Sequence, residues 1–272
     1  MELKNKFSND IVFRLVFGNN LELTRGLVAA ALGVPSSSIK DIEMKGTELA
    51  PEKIGGKFCR LDLNLIVDGQ QIDLEIQLSD EGNFKERALF YWSKLFASAL
   101  KEGCDYATAP RTFLISVVDF NLFGADSFSS DFGLFERARH ELLTDKLNLI
   151  FFELPKLPER VNMGEMIQVW LKVLSAKTED DLKELEEMEV EFVSQAVTAY
   201  RSAIASDEYL ELERIREKAR FDEANALSVA QKRGEILGEK RGEKYERERI
   251  IENLRGMGLS EKQIKQAVTK TT

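Results

Sequence analysis

Acidic side chains alternate with apolar ones along two neighbouring segments of the chain, 60–67 and 70–78, which are joined by Asp68-Gly69. The apolar positions are Leu61, Leu63, Leu65 and Val67 in the first segment and Ile72, Leu74, Ile76 and Leu78 in the second. Period-two alternation on both sides of an Asp-Gly pair predicts a β-hairpin. A two-residue loop sets Asp62 directly across from Glu75, where like charges repel. A cation held between these two carboxylates relieves the repulsion, so the pattern predicts a metal site.

Other loop lengths change the pairing. A four-residue loop pairs Asp62 with Gln77 and Asn64 with Glu75, and all of these stay on one face. A three-residue loop opposes the polar face of one strand to the apolar face of the other, which a half-buried sheet resists. A solvated hairpin face is the alternative to a metal site. Against it, the polar face carries three acids (Asp62, Asp73 and Glu75) and no Lys.

Several catalytic chemistries are excluded by composition. The chain has one histidine, His140, in a charged stretch remote from any nucleophile signature, so a His-rich zinc site is excluded. No Walker-type phosphate-binding loop is present. The remaining candidate ligands are oxygen atoms, which suit Mg²⁺ or Mn²⁺.

This arrangement resembles the PD-(D/E)xK nucleases, in which an Asp on one strand and a Glu on the next bind a divalent cation. Most of these enzymes have Lys at the position of Gln77. Gln at this position is similar to one branch, the recombination-promoting nucleases, which are also called PD-(D/E)xK nuclease family transposases. The opening Asp10-Ile-Val-Phe-Arg14-Leu-Val-Phe-Gly18 is similar to that of this branch, with Arg14 where Lys is more usual. Four further segments are also similar to this branch: 84–95, 103–106, 112–120 and 152–156.

The resemblance implies a metal-dependent hydrolysis of phosphodiester bonds. Asp62, Glu75 and the main-chain carbonyl of Ile76 would hold Mg²⁺ or Mn²⁺, and Gln77 would orient a water or the phosphate. Residues that could support the phosphate or the ligands are Asp10, Arg14, Arg60, Arg87 and Tyr91. Asp10 is equally consistent with a helix N-cap, and Tyr91 is more consistent with a core residue.

The function that follows is a metal-dependent DNA endonuclease linked to recombination, mobile elements or phage defence. Two alternatives remain. One is a catalytically inactive relative that binds DNA or a partner. The other is an oligomeric structural protein that assembles through its helical C-terminal half.

The order of elements predicts an α/β fold, a mixed sheet flanked by helices as in a restriction-endonuclease-like core, with a C-terminal helical extension. We expect this core in 1–157, a helical extension in 158–213 and a Gly-containing basic helical tail in 214–272. The elements expected in the core include helices over 10–18, 20–32 and about 135–146, the hairpin as two continuous strands, and strands over 112–120 and 147–153.

Charge is unevenly distributed in this chain of 272 residues with a net charge of −9. Residues 179–191 hold eight acids and one Lys, whereas 214–272 hold fifteen Lys or Arg and ten acids. This asymmetry suggests self-association or contact with a polyanion such as DNA, with two ordinary solvated helices as the alternative. The apolar stripe of 182–196 requires a partner, either the nuclease-like core or a second subunit, and we expect a homo-oligomer formed through the C-terminal helices. No apolar run is long enough to span a membrane, and two cysteines without a signal peptide indicate the cytoplasm.

Overall fold

The computed structural model describes residues 2–3, 5–49, 59–100, 103–261 and 264. Seven α-helices lie in these ranges: α1 Asp10–Gly18, α2 Leu21–Ala31, α3 Phe84–Ala99, α4 Met166–Ser175, α5 Glu179–Glu187, α6 Glu191–Ile204 and α7 Asp207–Gly256. The eight strands there are β1 Ile42–Lys45, β2 Glu48–Leu49, β3 Cys59–Arg60, β4 Leu63–Val67, β5 Gln70–Gln77, β6 Thr112–Val118, β7 Ser129–Phe135 and β8 Leu142–Glu153. Short 3₁₀ turns occupy Ser36–Ser38, Tyr106–Thr108 and Leu154–Lys156.

The six long strands form one mixed sheet in the order β1-β4-β5-β6-β8-β7. The strands β5, β6 and β8 run parallel to each other, and β1, β4 and β7 pair antiparallel to their neighbours. This confirms the predicted α/β architecture with a mixed sheet. The strands β2 and β3 form a separate two-stranded sheet.

The hairpin β4–β5 has the predicted two-residue loop. Leu63 pairs with Leu74 and Val67 pairs with Gln70. Asp68 and Gly69 have φ angles of 46° and 78°, as a type I′ turn requires at both central positions. The alternative four-residue loop is therefore wrong, and the register brings Asp62 to the level of Glu75.

The polar face of β5 is buried beneath α3 rather than solvated. Phe84 and Ala88 of α3 pack on Leu114 and Val118 of β6. These two β6 residues lie level with Asp73 and Gln77 in the parallel pair, so they share their face of the sheet. The helix α3 covers this face of the hairpin, and β6 pairs with its edge. The alternative prediction of a solvated hairpin face is therefore wrong.

The opposite face of the sheet packs against the remaining core helices. Gly18 of α1 approaches Leu63 of β4, and Trp170 of α4 packs between the rings of Phe17 and Phe192. Four residues of the apolar stripe on α5 and α6 are fully buried: Leu182, Leu185, Val193 and Ala196. The stripe is therefore covered by the core of its own chain, with α6 packed on α1.

Two predicted elements of the core are wrong. The segment 60–67 is not one strand, because the chain leaves β3 after Arg60, bends at Asp62 and enters β4 at Leu63. The predicted helix around 135–146 is a hairpin between β7 and β8. Its turn is closed by backbone bonds from Glu136 to Glu141 and from His140 to Glu136, with His140 at a φ of 54°. In this hairpin Leu134 pairs with Thr144 and Phe135 pairs with Leu142, and strand pairing outweighs the local preference of this charged stretch for helix.

The described C-terminal part consists mostly of one long helix, α7. The helix α7 runs unbroken through Gly234, Gly238 and Gly242 and ends at Gly256. The chain forms two compact units, Met1–Leu210 and Glu211–Thr272. Within the described ranges, no helix combines the length and the apolar character of a membrane span.

Candidate active site

The carboxyl groups of Asp62 and Glu75 are each held in place by a backbone N–H of the neighbouring segment of the hairpin. The backbone N–H of Asp62 donates to Glu75 Oε1 at 2.9 Å, and the backbone N–H of Ile76 donates to Asp62 Oδ2 at 3.0 Å. These bonds continue the β4–β5 pairing beyond Leu63, with side-chain acceptors in place of carbonyls. The two carboxyl groups that the sequence predicted as metal ligands are therefore adjacent and fixed from both strands.

The bend at Asp62 results from a change of partner along the chain. Arg60 pairs with Glu48 in the small sheet, and the backbone N–H of Leu61 donates to the backbone carbonyl of Thr47. From Leu63 onward the chain pairs with β5. Arg60 is exposed and belongs to the small sheet, so the structure does not bring this predicted support residue into the site.

Burial makes both carboxyl groups weak acids. It raises the pKa of Asp62 to about 6, and the nearby charge of Asp10 adds to the rise. Burial also raises the pKa of Glu75 to about 8, and the charge of Asp62 adds to it. The backbone hydrogen bonds, together with the charge of Arg87, favour the ionised forms and lower both pKa values in part. Two carboxylates that resist joint ionisation are suited to a cation that replaces the proton.

Asp73 is a third acid of this face, which the site prediction left out. It is fully buried, opposite Asn64 and two residues before Glu75. Burial, and then the charge of Glu75, raises the pKa of Asp73 well above its ordinary value. The alternation of Asp73 and Glu75 in the sequence already placed both acids on one face of the strand. Only the position of β5 inside the sheet shows that Asp73 is buried.

Gln77 is bound to an arginine of α3. Arg87 donates to Gln77 Oε1 at 2.5 Å, and Gln77 Nε2 donates to the backbone carbonyl of Ser79 at 2.9 Å. Arg87 also pairs with Glu81 at 3.1 Å. The helix α3 thus brings a guanidinium to Gln77, the position for which the resemblance implied Lys as the usual residue, and this contact could not be inferred from the spacing of the two residues.

The other predicted support residues lie on α1 and α3. Asp10 is the first residue of α1, and its charge acts on Asp62, as does the opposite charge of Arg14. The N-cap of α1 is Asn9, whose side chain accepts from Ile11 and Val12, so the N-cap interpretation of Asp10 is wrong. Tyr91 packs partly buried between two hydrophobic clusters of the core.

The donor set suits a hard cation with few protein ligands. Among the described residues, no group of three or more His, Cys, Asp or Glu side chains is arranged to hold a metal. Mg²⁺ is commonly bound by one or two carboxylates and keeps several waters. Asp62, Glu75 and a main-chain carbonyl provide such a set, so these residues fit the cation that the sequence suggested.

The fold and the paired acids define the class of this protein. A six-stranded mixed sheet flanked by helices, with Asp62 and Glu75 at adjacent strands, is consistent with a PD-(D/E)XK nuclease-like α/β protein. The family model described as PD-(D/E)XK nuclease family transposase matches residues 7–230, and the chain belongs to this family. Nucleases of this family generally use divalent metal ions. No curated protein and no solved structure matches the chain significantly.

Proposed function

We propose that this protein is a metal-dependent DNA endonuclease that hydrolyses phosphodiester bonds at the Asp62–Glu75 pair. The observation that carries the proposal is that backbone N–H groups hold two adjacent carboxyl groups, those of the buried Glu75 and the half-buried Asp62. Burying two adjacent acids is costly unless a cation or a proton compensates for their charge.

The residues of this chain have distinct roles in the proposed reaction. Asp62 and Glu75 each use one oxygen to accept from the backbone, so the other oxygen of each can face a cation, with the Ile76 carbonyl as third ligand. Asp62 and Glu75 would hold Mg²⁺ or Mn²⁺, which would supply Lewis-acid polarisation of the scissile phosphate and activation of a water. The backbone bonds fix the carboxyl groups before the substrate binds, which reduces the reorganisation needed in the reaction.

Arg87 supplies the positive charge that Gln77 lacks. Its guanidinium contacts Gln77, and its charge favours the ionised forms of both Asp62 and Glu75. A guanidinium can also donate two parallel hydrogen bonds to a phosphate. We infer that Arg87 and Gln77 together take the role of the usual Lys, with Gln77 holding Arg87 and Arg87 contacting the phosphate.

Membership of a family of nucleases and transposases supports the proposed role in DNA recombination, in mobile elements or in phage defence. DNA is therefore the proposed substrate. Asp10 and Arg14 belong to the proposed site through their charges near Asp62, whereas Tyr91 supports it through packing.

Plasmid cleavage tests the proposal. Purified protein is incubated with supercoiled plasmid in Mg²⁺ or Mn²⁺, beside an EDTA control, Glu75→Gln, and Glu86→Gln as a matched control on the exposed surface of α3. We expect nicked or linear DNA with the wild type and with Glu86→Gln, and none with Glu75→Gln or EDTA.

Calorimetric titration with Mn²⁺ separates the alternatives. Cleavage that survives Glu75→Gln would place the active site elsewhere. Metal binding without cleavage of any DNA tested would identify an inactive relative that retains the site.

A further inference from the structure

The C-terminal part of α7 separates its charged side chains by face. Residues 233–247 hold five Lys or Arg and four Glu, and all of these residues are exposed. An α-helix turns by about 100° per residue, so bases that follow Arg233 by 7, 8, 11 and 14 positions lie close to it around the helix axis. The five bases fall within an arc of roughly 120°. We call them the basic face of α7: Arg233, Lys240, Arg241, Lys244 and Arg247.

The acids of the same segment lie on another side of the helix. They fall within an arc of roughly 80°, whose centre is about 140° away from the centre of the basic face. No acid of 233–247 lies within the basic face, and no base lies among the acids. The four acids are Glu235, Glu239, Glu243 and Glu246. The segment therefore presents a positive side and a negative side, although its net charge is small.

Three glycines occupy the wide gap between the basic face and the acids. Gly234, Gly238 and Gly242 follow each other at four-residue steps, and a Cβ at any of them would meet nothing within 4 Å. Glycine disfavours a helix relative to Ala. In exchange, one flank of the basic face is nearly bare of side chains, so a large partner can approach the helix backbone closely.

Ion pairs within the helix leave the basic face available to a partner. Arg249, which lies outside the basic face, pairs with Glu246 at 2.8 Å. Lys244 approaches Glu248 at 3.8 Å, and an exposed pair of this length contributes little, so an anionic partner can replace Glu248. In the described part of the chain, no acid pairs with the other four members of the basic face.

We propose that the basic face of α7 binds the phosphate backbone of double-stranded DNA, an inference that rests on the proposed function for its choice of polyanion. From Arg233 to Arg247 the face is about 21 Å long, which matches roughly six base-pair steps along a duplex axis. The acids are about one helix diameter, or 10 Å, farther from the phosphates. Since this is about one Debye length in physiological salt, their repulsion of the phosphates is largely screened.

The composition of the basic face favours the DNA backbone over the bases. Residues 233–247 contain one aromatic side chain, Tyr245, which lies on the glycine flank rather than on the basic face. Stacking on bases requires aromatic side chains in most cases, whereas Lys and Arg contacts to phosphates carry no sequence information. We therefore expect the contact to be independent of DNA sequence.

An anionic lipid surface fits the same helix less well. A helix that lies on a membrane needs an apolar face opposite its basic one. Opposite the basic face of α7 are acids, and the apolar residues of α7 as a whole are not gathered on one side.

Fluorescence anisotropy of a labelled DNA duplex titrated with the full chain tests the proposal. The titrations are made in EDTA, so that metal-dependent cleavage does not change the duplex. Lys240→Gln/Lys244→Gln removes two cations of the basic face. Lys232→Gln/Arg249→Gln removes two cations from other sides of the same helix and is the matched control. Both variants have the same net charge, and circular dichroism checks that each retains its helix content.

We expect a loss of affinity in the basic-face variant alone. Its dissociation constant should rise at least about tenfold in 0.1 M salt, and that of the control should stay within about twofold of the wild type. The slope of log K against log salt should become shallower by roughly 1.8, because each lost phosphate contact removes about 0.9. A second duplex of unrelated sequence should show the same loss.

Three results would overturn the proposal. Equal losses in the two variants would mean that only net charge matters, and unchanged affinity of the basic-face variant would remove α7 from DNA binding. Binding to phosphatidylglycerol vesicles that is lost in the basic-face variant, with DNA binding retained, would assign the face to a lipid surface.

Failure of this inference is distinguishable from failure of the proposed function. DNA binding through the basic face by a protein that cleaves no DNA in Mg²⁺ or Mn²⁺ would support the inference and contradict the nuclease activity. Cleavage by a protein whose two variants bind DNA equally would do the reverse.

Discussion

The carboxyl group of Glu75 illustrates how one residue can be arranged for cation binding at the expense of stability. It accepts a hydrogen bond from Asp62, it is 6% exposed, and its pKa is raised to about 8. In the unfolded chain the pKa of a glutamate is near 4.5. Between these two values the folded protein keeps a proton on Glu75 that the unfolded chain has lost.

The stability of the metal-free protein should therefore fall as the pH rises. A carboxyl group whose pKa is raised on folding favours the folded state below the unfolded pKa, and this stabilisation is lost as the pH passes through the folded pKa. We expect the free energy of unfolding to fall between pH 5 and pH 8 by up to about 1.4 kcal/mol per pH unit. Urea denaturation in EDTA at several pH values measures this slope.

Glu75→Gln serves as the comparison for that measurement. The amide cannot ionise, so its stability should depend less on pH and should exceed that of the wild type at pH 8. Because Asp62 and Asp73 also have raised pKa values, part of the slope should remain. Equal slopes for wild type and Glu75→Gln would contradict the raised pKa of Glu75.

Arg87 connects the helix α3 to the acidic strand β5. It contacts Gln77 and Glu81, and its guanidinium packs over the ring of Phe84, 4.9 Å from the ring centroid. Its side chain is 24% exposed, so solvent screens its charge only in part. This is the cationic side chain that the structure places at Gln77.

Replacing Arg87 should reduce cleavage more than stability. Arg87→Gln removes the charge that opposes the acids, and we expect DNA cleavage to fall by roughly 10²-fold, as when one electrostatic stabiliser is removed from an active site. Rates of plasmid nicking measure the effect. Lys85→Gln, an exposed change on the same helix with the same loss of charge, is the control. Equal rates for Arg87→Gln and the wild type would remove Arg87 from the mechanism.

At the scale of elements, the hairpin β4–β5 sets the distance between the two acids. Its turn residue Asp68 also accepts hydrogen bonds from the backbone N–H groups of Lys40 and Asp41. The same turn thus fixes the register of the hairpin and anchors the chain that leads into β1. The geometry of the site depends on this turn, although the turn is at the other end of the strands.

Gly69→Ala should destabilise the fold through the backbone alone. Gly69 has a φ of 78°, and a Cβ there would meet nothing within 4 Å, so the cost is the left-handed conformation itself, about 1 kcal/mol. Gly46→Ala is the matched control, because its Cβ would also meet open space but its φ is not positive. Urea denaturation of both variants measures the difference, and equal stabilities would contradict the type I′ turn.

At the scale of the molecule, the two units differ in how they are stabilised. The unit Met1–Leu210 has a hydrophobic core that includes Trp170 and Tyr200, both about 1% exposed. In the unit Glu211–Thr272, the described part of α7 is almost entirely exposed. Folding of the first unit should therefore be independent of most of α7.

A chain that ends at Leu210 should retain the stability of the first unit. We expect its melting temperature to lie within a few degrees of that of the full chain. A chain that ends at Ala205 should melt lower, because it lacks Tyr209, which is 3% exposed, and the Ser206 hydroxyl that accepts from the Tyr209 backbone. Thermal unfolding followed by circular dichroism compares the two. A chain ending at Leu210 that fails to fold would show that α7 is required by the core.

The sequence by itself predicted the hairpin, and its two-residue loop set Asp62 across from Glu75, while a four-residue loop remained as the alternative that the structure excluded. These follow from short-range rules, because a period of two and an Asp-Gly turn leave few alternatives within twenty residues. The helix α1 was also predicted with its observed bounds, since its apolar face and its ending at Gly18 are local features.

The tertiary structure alone decided which residues surround the acids and how deeply they are buried. Arg87 reaches Gln77 because α3 packs across β5 and β6, and Arg60 is remote because the chain bends at Asp62. The segment 135–146 lies in the β7–β8 hairpin, and residues 147–153, the rest of β8, pair with β6, a contact between distant parts of the chain. Burial and charge contacts of this kind depend on long-range packing, which local sequence patterns do not encode.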